Sequence, residues 1–338
     1  MAYQVALNFE DGVTRVINVE EDELVTDAAF RQKINLPMDC RDGVCGTCKC
    51  KIETGEFELE FYLEEAMTED EAADGYVLPC QMTVESDCVL RIPASSEVCK
   101  TGPQTVEAEV VSIDALSDTS FNLSVKLAKP MGFLPGQYVN ISVPGTDTHR
   151  SYSFSSKPGA DQATFLIRNI PGGIMSTYLA RGSAGDAVSL TGPMGAFYLR
   201  PMERQQLWLA GGTGLAPFLS MLEQVAERGT DHDITLYYAV TKAADLVELA
   251  RVEVLAEAIG RVTVITILAS EDDAHDRKGF VTNHVTAEEL NSGDVDVYLC
   301  GPPPMVEAVR QHFKTLGVEP ASFHYEKFTP NEATADAA

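Results

Sequence analysis

Cations are what this chain has least of. Its 25 lysines and arginines stand against 51 aspartates and glutamates, for a net charge of −26 and a pI near 4.5. Such a surface repels phosphate backbones and anionic headgroups, which argues against nucleic acid or an acidic membrane as a partner. Long hydrophobic runs are missing too: none approaches the roughly 18 apolar residues that a membrane span needs. The opening residues, MAYQVALNFEDG, hold no basic stretch leading into an apolar one, so no secretory signal is read there and a cytoplasmic location is expected. No internal repeat is found, and the G-x-G-x-x-G dinucleotide fingerprint is absent.

What is present is unevenly placed. Residues 1–100 carry 22 acidic and 8 basic side chains, about half the net charge in under a third of the chain. That excess reads either as a solvated surface or as a docking face for a basic partner, since charge of one sign speeds transient association. Four of the eight cysteines crowd into residues 40–50. In a cytoplasmic chain such crowding favours metal or redox work over structural disulfides.

A chain of 338 residues is comfortable for two or three domains. YQVALNF and VTRVINV alternate apolar and polar residues around Glu10-Asp11-Gly12, which predicts a β-hairpin. A short helix is expected near Leu24–Gln32, followed by the cysteine loop. ASSEVCKTGPQT (94–105) is small, polar and reads as a linker. From 106 to about 200, short β-branched runs separated by Gly/Pro turns predict an antiparallel barrel or sandwich, with one helix near Met175–Ala180. Beyond 205, continuous apolar strands (QLWLAGG, DITLYYAV, RVTVITILAS, DVDVYLCG) alternate with helical segments at Phe218–Arg228, Leu246–Ala258 and Pro304–Thr315. That alternation predicts an open parallel α/β sheet. The final TPNEATADAA is expected to fray.

The sharpest motif is Cys40-Arg-Asp-Gly-Val-Cys45-Gly-Thr-Cys48, with Cys80 following in LPCQ. C-x4-C-x2-C with a distant fourth cysteine is the plant-type [2Fe–2S] spacing. Three thiolates can point inward from one loop only if it turns tightly, and Gly43 and Gly46 allow that. A structural zinc site is the alternative, but zinc ligands usually come as two short pairs. Cys50 and Cys88 read as small buried side chains. On these motifs residues 1 to about 97 resemble a plant-type ferredoxin, a β-grasp-like fold. The resemblance implies that Cys40, Cys45, Cys48 and Cys80 are the cluster ligands.

Two clusters stand out in the middle segment: Arg150-Ser151-Tyr152-Ser153, beginning a strand, and Gly172-Gly173-Ile-Met-Ser176, leading into a helix. A flavin dinucleotide needs an aromatic wall, polar contacts to its ring and a cation or helix start for its pyrophosphate. Tyr152 can stack, Ser153 can bond the ring's polar edge, and Arg150 can pair with a phosphate. Gly172 and Gly173 let the backbone approach, with Ser176 in the first helical turn. Each cluster alone is weak, because a strand and a Gly-Gly turn are common.

Downstream, QLWLAGG runs into Gly212-Thr213-Gly214-Leu-Ala-Pro217 and a helix, the form of a pyrophosphate cradle. The last strand ends in Cys300-Gly301-Pro302-Pro303, and Tyr325-Glu326-Lys-Phe328 lies near the end of the chain. In this order the five motifs resemble the ferredoxin–NADP reductase superfamily from about 104 to 328. That resemblance implies an antiparallel β-barrel FAD domain (104–204) and a parallel α/β nicotinamide domain (205–338). It places Cys300 beside the nicotinamide, Thr213 between the cofactors, and Glu326 and Phe328 near the flavin. Where NADP-dependent relatives carry a cation for the 2′-phosphate, this chain has Ser270-Glu271-Asp272-Asp273. Carboxylates there would repel a phosphate and could accept a ribose hydroxyl, so NADH is expected.

The arrangement ferredoxin, flavin, nicotinamide resembles the reductase components of bacterial aromatic-ring dioxygenases, nearest to the benzoate 1,2-dioxygenase type, with toluate and anthranilate counterparts close by. The resemblance implies electrons passing from NADH through FAD to a [2Fe–2S] cluster and on to a terminal oxygenase of the Rieske non-haem iron type. The reductase of a di-iron monooxygenase, or a partner-free NADH diaphorase, remains as the alternative. A redox sensor would need an output module, and none is visible.

Overall fold

The computed structural model describes residues 2–100, 102–270 and 274–328. The chain divides into two compact units, Met1–Gln104 with Met194–Ala196, and Thr105–Pro193 with Phe197–Ala338. TPNEATADAA (329–338) lies outside the described residues.

In the first unit β1 (Ala2–Phe9) and β2 (Thr14–Glu20) form the expected hairpin, with Ala2 opposite Glu20 and Asn8 opposite Thr14. Period-two alternation buries Val5, Leu7 and Phe9 from one strand and Ile17 and Val19 from the other. Helix α1 (Val25–Arg31) sets Val25, Ala28 and Ala29 into the same core. It is followed by β3 (Cys50–Thr54), β4 (Phe57–Leu59), α2 (Glu69–Ala73), β5 (Tyr76–Val77), β6 (Met82–Val84) and β7 (Cys88–Ile92). The main sheet runs β2-β1-β7-β3-β5, with β1 and β7 parallel and the other pairs antiparallel. A mixed sheet with one helix packed across it is the β-grasp-like arrangement expected. Cys50 and Cys88 are buried, as read from sequence.

The segment read as a linker is not free along its length. Ala94, Ser96 and Cys99 are buried, and the Asn35 N–H donates to the Cys99 carbonyl at 2.8 Å. Asp11 accepts from both the backbone N–H and the hydroxyl of Ser96, each at 2.8 Å. A hairpin-turn carboxylate therefore holds the start of this segment against the first unit.

The second unit opens with β8 (Gln104–Ser117), β9 (Ser120–Leu127), β10 (Tyr138–Ser142), β11 (His149–Ser153), β12 (Gln162–Arg168), α3 (Ile174–Leu179) and β13 (Ala187–Met194). The six strands form one sheet in the order β11-β10-β13-β8-β9-β12. The Ser155 N–H, just past β11, donates to the Thr164 carbonyl of β12 at 2.8 Å, which ties the two edges together into a barrel. Leu123, Val125, Ile141, Phe154, Phe165 and Leu190 fill it.

The remainder is the α/β sheet: β14 (Gln205–Gly211), α4 (Ala216–Arg228), β15 (Ile234–Val240), α5 (Leu249–Ile259), β16 (Val262–Leu268), β17 (Val295–Gly301), α6 (Pro303–Leu316) and β18 (Ser322–Lys327). All five strands are parallel, in the order β16-β15-β14-β17-β18. Six of the seven residues of β14 are buried, as a strand covered on both faces requires. β18 was not expected from sequence. It is a half-buried edge strand, SFHYEK, with too little apolar content to signal itself. Because the order reverses on either side of β14, the loops after β14 and β17 flank a crevice at the carboxyl ends of the strands. Among the described residues no helix is long and apolar enough to cross a membrane.

Candidate functional site

Cys40, Cys45 and Cys48 lie in the loop between α1 and β3, and Cys80 lies between β5 and β6. They come together as two pairs. Cys48 and Cys80 are buried with their sulfurs 3.3 Å apart, and Cys40 and Cys45 hydrogen-bond to each other. Pairing with Cys45 brings the Cys40 thiol down to about 5, while Cys45 is pushed up by Cys40 and by burial. In the second pair Cys80 is lowered by its bond with Cys48, whose own thiol is raised by that bond and by burial. Backbone N–H groups of Asp42 and Thr47 point at the Cys40 and Cys45 sulfurs, at 3.4 and 3.5 Å.

The loop closes as the glycines allow. Gly43 and Gly46 have φ of +72° and +70°, and a Cβ on either would lie 2.3 Å from the Phe61 carbonyl oxygen or 2.7 Å from that of Ala66. Two thiol pairs with amides directed at their sulfurs, packed too tightly for any side chain at 43 or 46, fit a two-iron cluster.

Three supports of this loop were not singled out from sequence. Lys49 donates to Glu71 at 2.7 Å and to the Ala66 carbonyl at 3.2 Å, with the Glu71 side chain fully buried and that of Lys49 nearly so. Glu71 also completes the capping box of α2 by accepting from the Thr68 N–H. Gln81 Nε2 donates to the Arg41 carbonyl at 2.8 Å, linking the two halves of the cysteine set. Gln81 was in view as the last residue of LPCQ. The Lys49–Glu71 pair spans 22 residues and has no local signature.

In the barrel, β11 carries Arg150 and Tyr152 on one face and Ser151 and Ser153 on the other. Tyr152 packs against the barrel core, and burial raises its hydroxyl. Ser151 donates to Asn140 Oδ1 at 2.6 Å, and Arg150 donates to the His149 carbonyl at 2.8 Å. Gly173 is the N-cap of α3, and Ser176 Oγ accepts the Ile170 N–H at 2.8 Å, so Ser176 shapes the Gly-Gly turn from within the first helical turn. A cavity of about 550 Å³ opens beside Gly172, lined by Val143, Pro144, Thr177, Tyr178 and Arg181 among others. Arg181, an exposed cation at this cavity, was also missed.

At the crevice of the α/β sheet the remaining residues converge. Gly212–Leu215 form a single 3-10 turn leading into α4, with Pro217 in its first turn and Thr213 half-buried. A Cβ on Gly214 would lie 2.2 Å from the Cys300 carbonyl oxygen, and one on Gly211 would lie 2.5 Å from Met305 Sδ and 3.0 Å from Pro302 Cδ. The turns after β14 and β17, the latter through Gly301 and Pro302, therefore touch backbone to backbone. Cys300 of β17 stands beside Glu326 of β18, and the Phe328 N–H donates to the Gly301 carbonyl at 3.1 Å. Ser153 of the barrel donates to Glu326 Oε2 at 3.2 Å. Ser153, Cys300, Glu326 and Phe328 thus meet at one place, although they are spread over 175 positions. Cys300 is fully buried, and burial with the neighbouring Glu326 carboxylate raises its thiol well above the ordinary value. Ser270 follows β16, whereas Glu271, Asp272 and Asp273 lie outside the described residues.

Three family models match in chain order: a 2Fe-2S iron-sulfur cluster binding domain at residues 8–85, an oxidoreductase FAD-binding domain at 105–198 and an oxidoreductase NAD-binding domain at 208–311. With the paired cysteines and the crevice at the carboxyl ends of the parallel strands, they define an iron–sulfur flavoprotein oxidoreductase.

The chain is 52% identical to the toluate 1,2-dioxygenase electron transfer component of Pseudomonas putida, over 97% of its length and 99% of the relative's. It is 45% identical to the 2-halobenzoate 1,2-dioxygenase electron transfer component of Burkholderia cepacia, over 98% and 99%. A crystal structure of an Amycolatopsis cytochrome P450 reductase superposes with a TM-score of 0.72 at 31% identity, covering 96% of this chain and 99% of that one. The chain belongs to this family of electron transfer components. It carries electrons from NADH through FAD to a [2Fe–2S] cluster.

Proposed function

We propose that this protein is the cytoplasmic reductase component of an aromatic-ring dioxygenase of the benzoate type, and that its cluster delivers electrons to a terminal oxygenase of the Rieske non-haem iron kind. The likeness to the toluate and 2-halobenzoate components along nearly the whole of both chains supports the partner class. The ferredoxin module is assigned to 1–97, the flavin module to 104–204 and the nicotinamide module to 205–338.

Cys40 with Cys45 would hold one iron and Cys48 with Cys80 the other. Arg150, Ser151, Tyr152 and Ser153, with Gly172, Gly173 and Ser176, would hold the flavin. Gly212, Gly214, Pro217, Gly301 and Pro302 would hold the nicotinamide nucleotide. Bound FAD and cluster supply the step from two-electron to one-electron chemistry.

The observation that carries the reading is the convergence of Ser153, Cys300, Glu326 and Phe328 at the crevice. There the protein's work is alignment. The Cys300 thiol stays protonated and presents a small, uncharged wall. The Ser153 hydroxyl donates its hydrogen bond to Glu326 Oε2, which fixes both side chains. Glycine at 211 and 214 lets the two turns close and keeps water from the space between them.

Anaerobic titration of the purified holoprotein with NADH tests this circuit. Flavin bleaching together with the EPR signal of a reduced cluster is expected, with little response to NADPH at equal concentration. Bleaching without a cluster signal would rule out the reductase reading.

A further inference from the structure

Beside the cysteine loop the chain turns two large apolar side chains outward. Along β4 the alternation Phe57, Glu58, Leu59, Glu60 packs the apolar residues inward, and continuing it would bury Phe61. Instead the strand ends at Leu59 and the phase slips by one residue. Tyr62 packs against the core around Cys48 and Cys80, while Phe61 is 57% and Leu63 41% exposed. Single exposed apolar residues are ordinary, but this pair is placed on the cluster loop itself. The Leu63 N–H donates to the Gly43 carbonyl at 3.0 Å, the Phe61 carbonyl closes over Gly43, and the Glu60 N–H donates to the Gln81 carbonyl at 2.8 Å.

The surroundings are acidic. Residues 56–74 hold nine carboxylates and no cation. Glu58, Glu60 and Glu64 are exposed and form no ion pair among the described residues. Arg41, on the cysteine loop, is exposed.

We propose that Phe61 and Leu63 are the docking contact through which the protein presents its cluster to the terminal oxygenase, and that the partner's matching surface is an apolar depression rimmed by lysine and arginine. This rests on the partner class proposed above. An apolar centre within a charged rim is the usual anatomy of a specific interface: the centre sets the lifetime of the complex and the rim the rate of encounter. Electron transfer needs close approach to the cluster, and Phe61 and Leu63 are exposed apolar side chains whose own backbone closes directly on its loop at Gly43.

The test uses the holoprotein with the purified toluate dioxygenase oxygenase of Pseudomonas putida, comparing the unmodified chain with F61S/L63S and with E58Q/E60Q/E64Q. Ferricyanide reduction by NADH, the cluster EPR signal after NADH reduction, and oxygenase turnover are each followed. For F61S/L63S the KM for oxygenase is expected to rise about tenfold or more, as loss of central apolar contacts does. Its ferricyanide rate and EPR signal should stay within twofold of the unmodified chain. E58Q/E60Q/E64Q should lose much of the salt dependence of kcat/KM for oxygenase, and an unchanged salt dependence would overturn the acidic rim. No turnover with the unmodified protein would defeat the partner reading itself, and the docking proposal with it. Turnover with the same KM in F61S/L63S would defeat the docking proposal alone. Slower cluster reduction by NADH in F61S/L63S would mean that the pair serves the chain's own flavin module, and would also overturn it.

Discussion

Alanine at residue 43 should empty the cluster site, and its magnitude can be worked from three glycines that share one backbone conformation. Gly12, Gly43 and Gly46 have φ of +76°, +72° and +70°. A side chain in that left-handed region costs about 1–2 kcal/mol whatever surrounds it. At Gly12 nothing lies within 4 Å of the added Cβ, so Gly12→Ala should show that cost alone. At Gly43 the Cβ would meet the Phe61 carbonyl oxygen at 2.3 Å, Gln81 Cγ at 3.0 Å and Tyr62 Cα at 3.1 Å. The first and last are main-chain atoms and cannot rotate aside. Loop and segment must separate by on the order of 1 Å to restore a normal contact.

Overpacking of this kind typically costs a further 1–3 kcal/mol, so Gly43→Ala should lose about 2–5 kcal/mol in all. The strain falls on the Leu63 N–H to Gly43 carbonyl bond and on the Gly43 N–H that bonds Cys80. Iron per chain, the visible absorbance of the cluster and the melting temperature of the as-purified protein are the readouts. A Gly43→Ala protein with full iron content, and a melting temperature no lower than that of Gly12→Ala, would refute the tight-loop argument.

Lys49→Met leaves the fully buried Glu71 carboxylate without its cation, which should cost about 3–5 kcal/mol in chemical denaturation; a loss under 1 kcal/mol would show that the pair is dispensable. Cys300→Ser should keep its flavin yet slow flavin reduction by NADH on the order of tenfold in stopped flow, because a wall atom at the crevice has changed. With burial and Glu326 both raising its thiol, Cys300 should resist iodoacetamide at pH 8 in the native protein, and rapid native labelling would contradict that. His324 sits against Tyr298 with ring centroids 4.9 Å apart, and burial lowers it to about 3 from 6.5. The folded state keeps it neutral, so its stability contribution is intact above 6.5 and lost as pH falls from there toward 3. The slope is up to about 1.4 kcal/mol per pH unit. His324→Leu should flatten the urea-unfolding profile across that window, and an unchanged profile would dismiss the assignment.

The cysteine loop was legible in the sequence because its chemistry is local: three ligands and both glycines fall within nine residues. The hairpin and the strands of the parallel sheet were legible because their apolar periods are unbroken. What escaped was set by long-range packing. β18 reads as polar because an edge strand is half-solvated, so the expectation that Cys300 lies by the nicotinamide and Glu326 by the flavin came from the family resemblance, and their pairing across β17 and β18 was seen only in the fold. The bond from Ser153 to Glu326 joins residues 173 apart in sequence. The exposure of Phe61 is hidden by the alternation before it, since the strand pattern runs on past the point where Tyr62 captures the core position. Cys99 lay in a segment whose composition says linker, and it is buried by packing into the first unit's core, with the Asn35 N–H donating to its carbonyl, neither of which its neighbours in sequence signal.

The distribution of charge in the first unit bears on why its acid is kept. Four of its eight cations, Arg31, Lys49, Arg91 and Lys100, pair with Glu23, Glu71, Glu53 and Glu97. Of these pairs only Lys49–Glu71 reaches into residues 56–74, and there Glu71 is buried under the cysteine loop rather than on its surface. The outward carboxylates Glu58, Glu60 and Glu64 therefore add to a local excess of negative charge beside the cluster loop, and like charge gathered in one region costs the folded state stability through self-repulsion. Solubility alone does not require it at that place. Two opposite responses to salt follow. Screening, over a Debye length of about 8 Å at physiological ionic strength, should stabilise the free protein by relieving this repulsion. The same screening should slow its encounter with a cationic partner. Acid retained only for solubility would show the first response without the second.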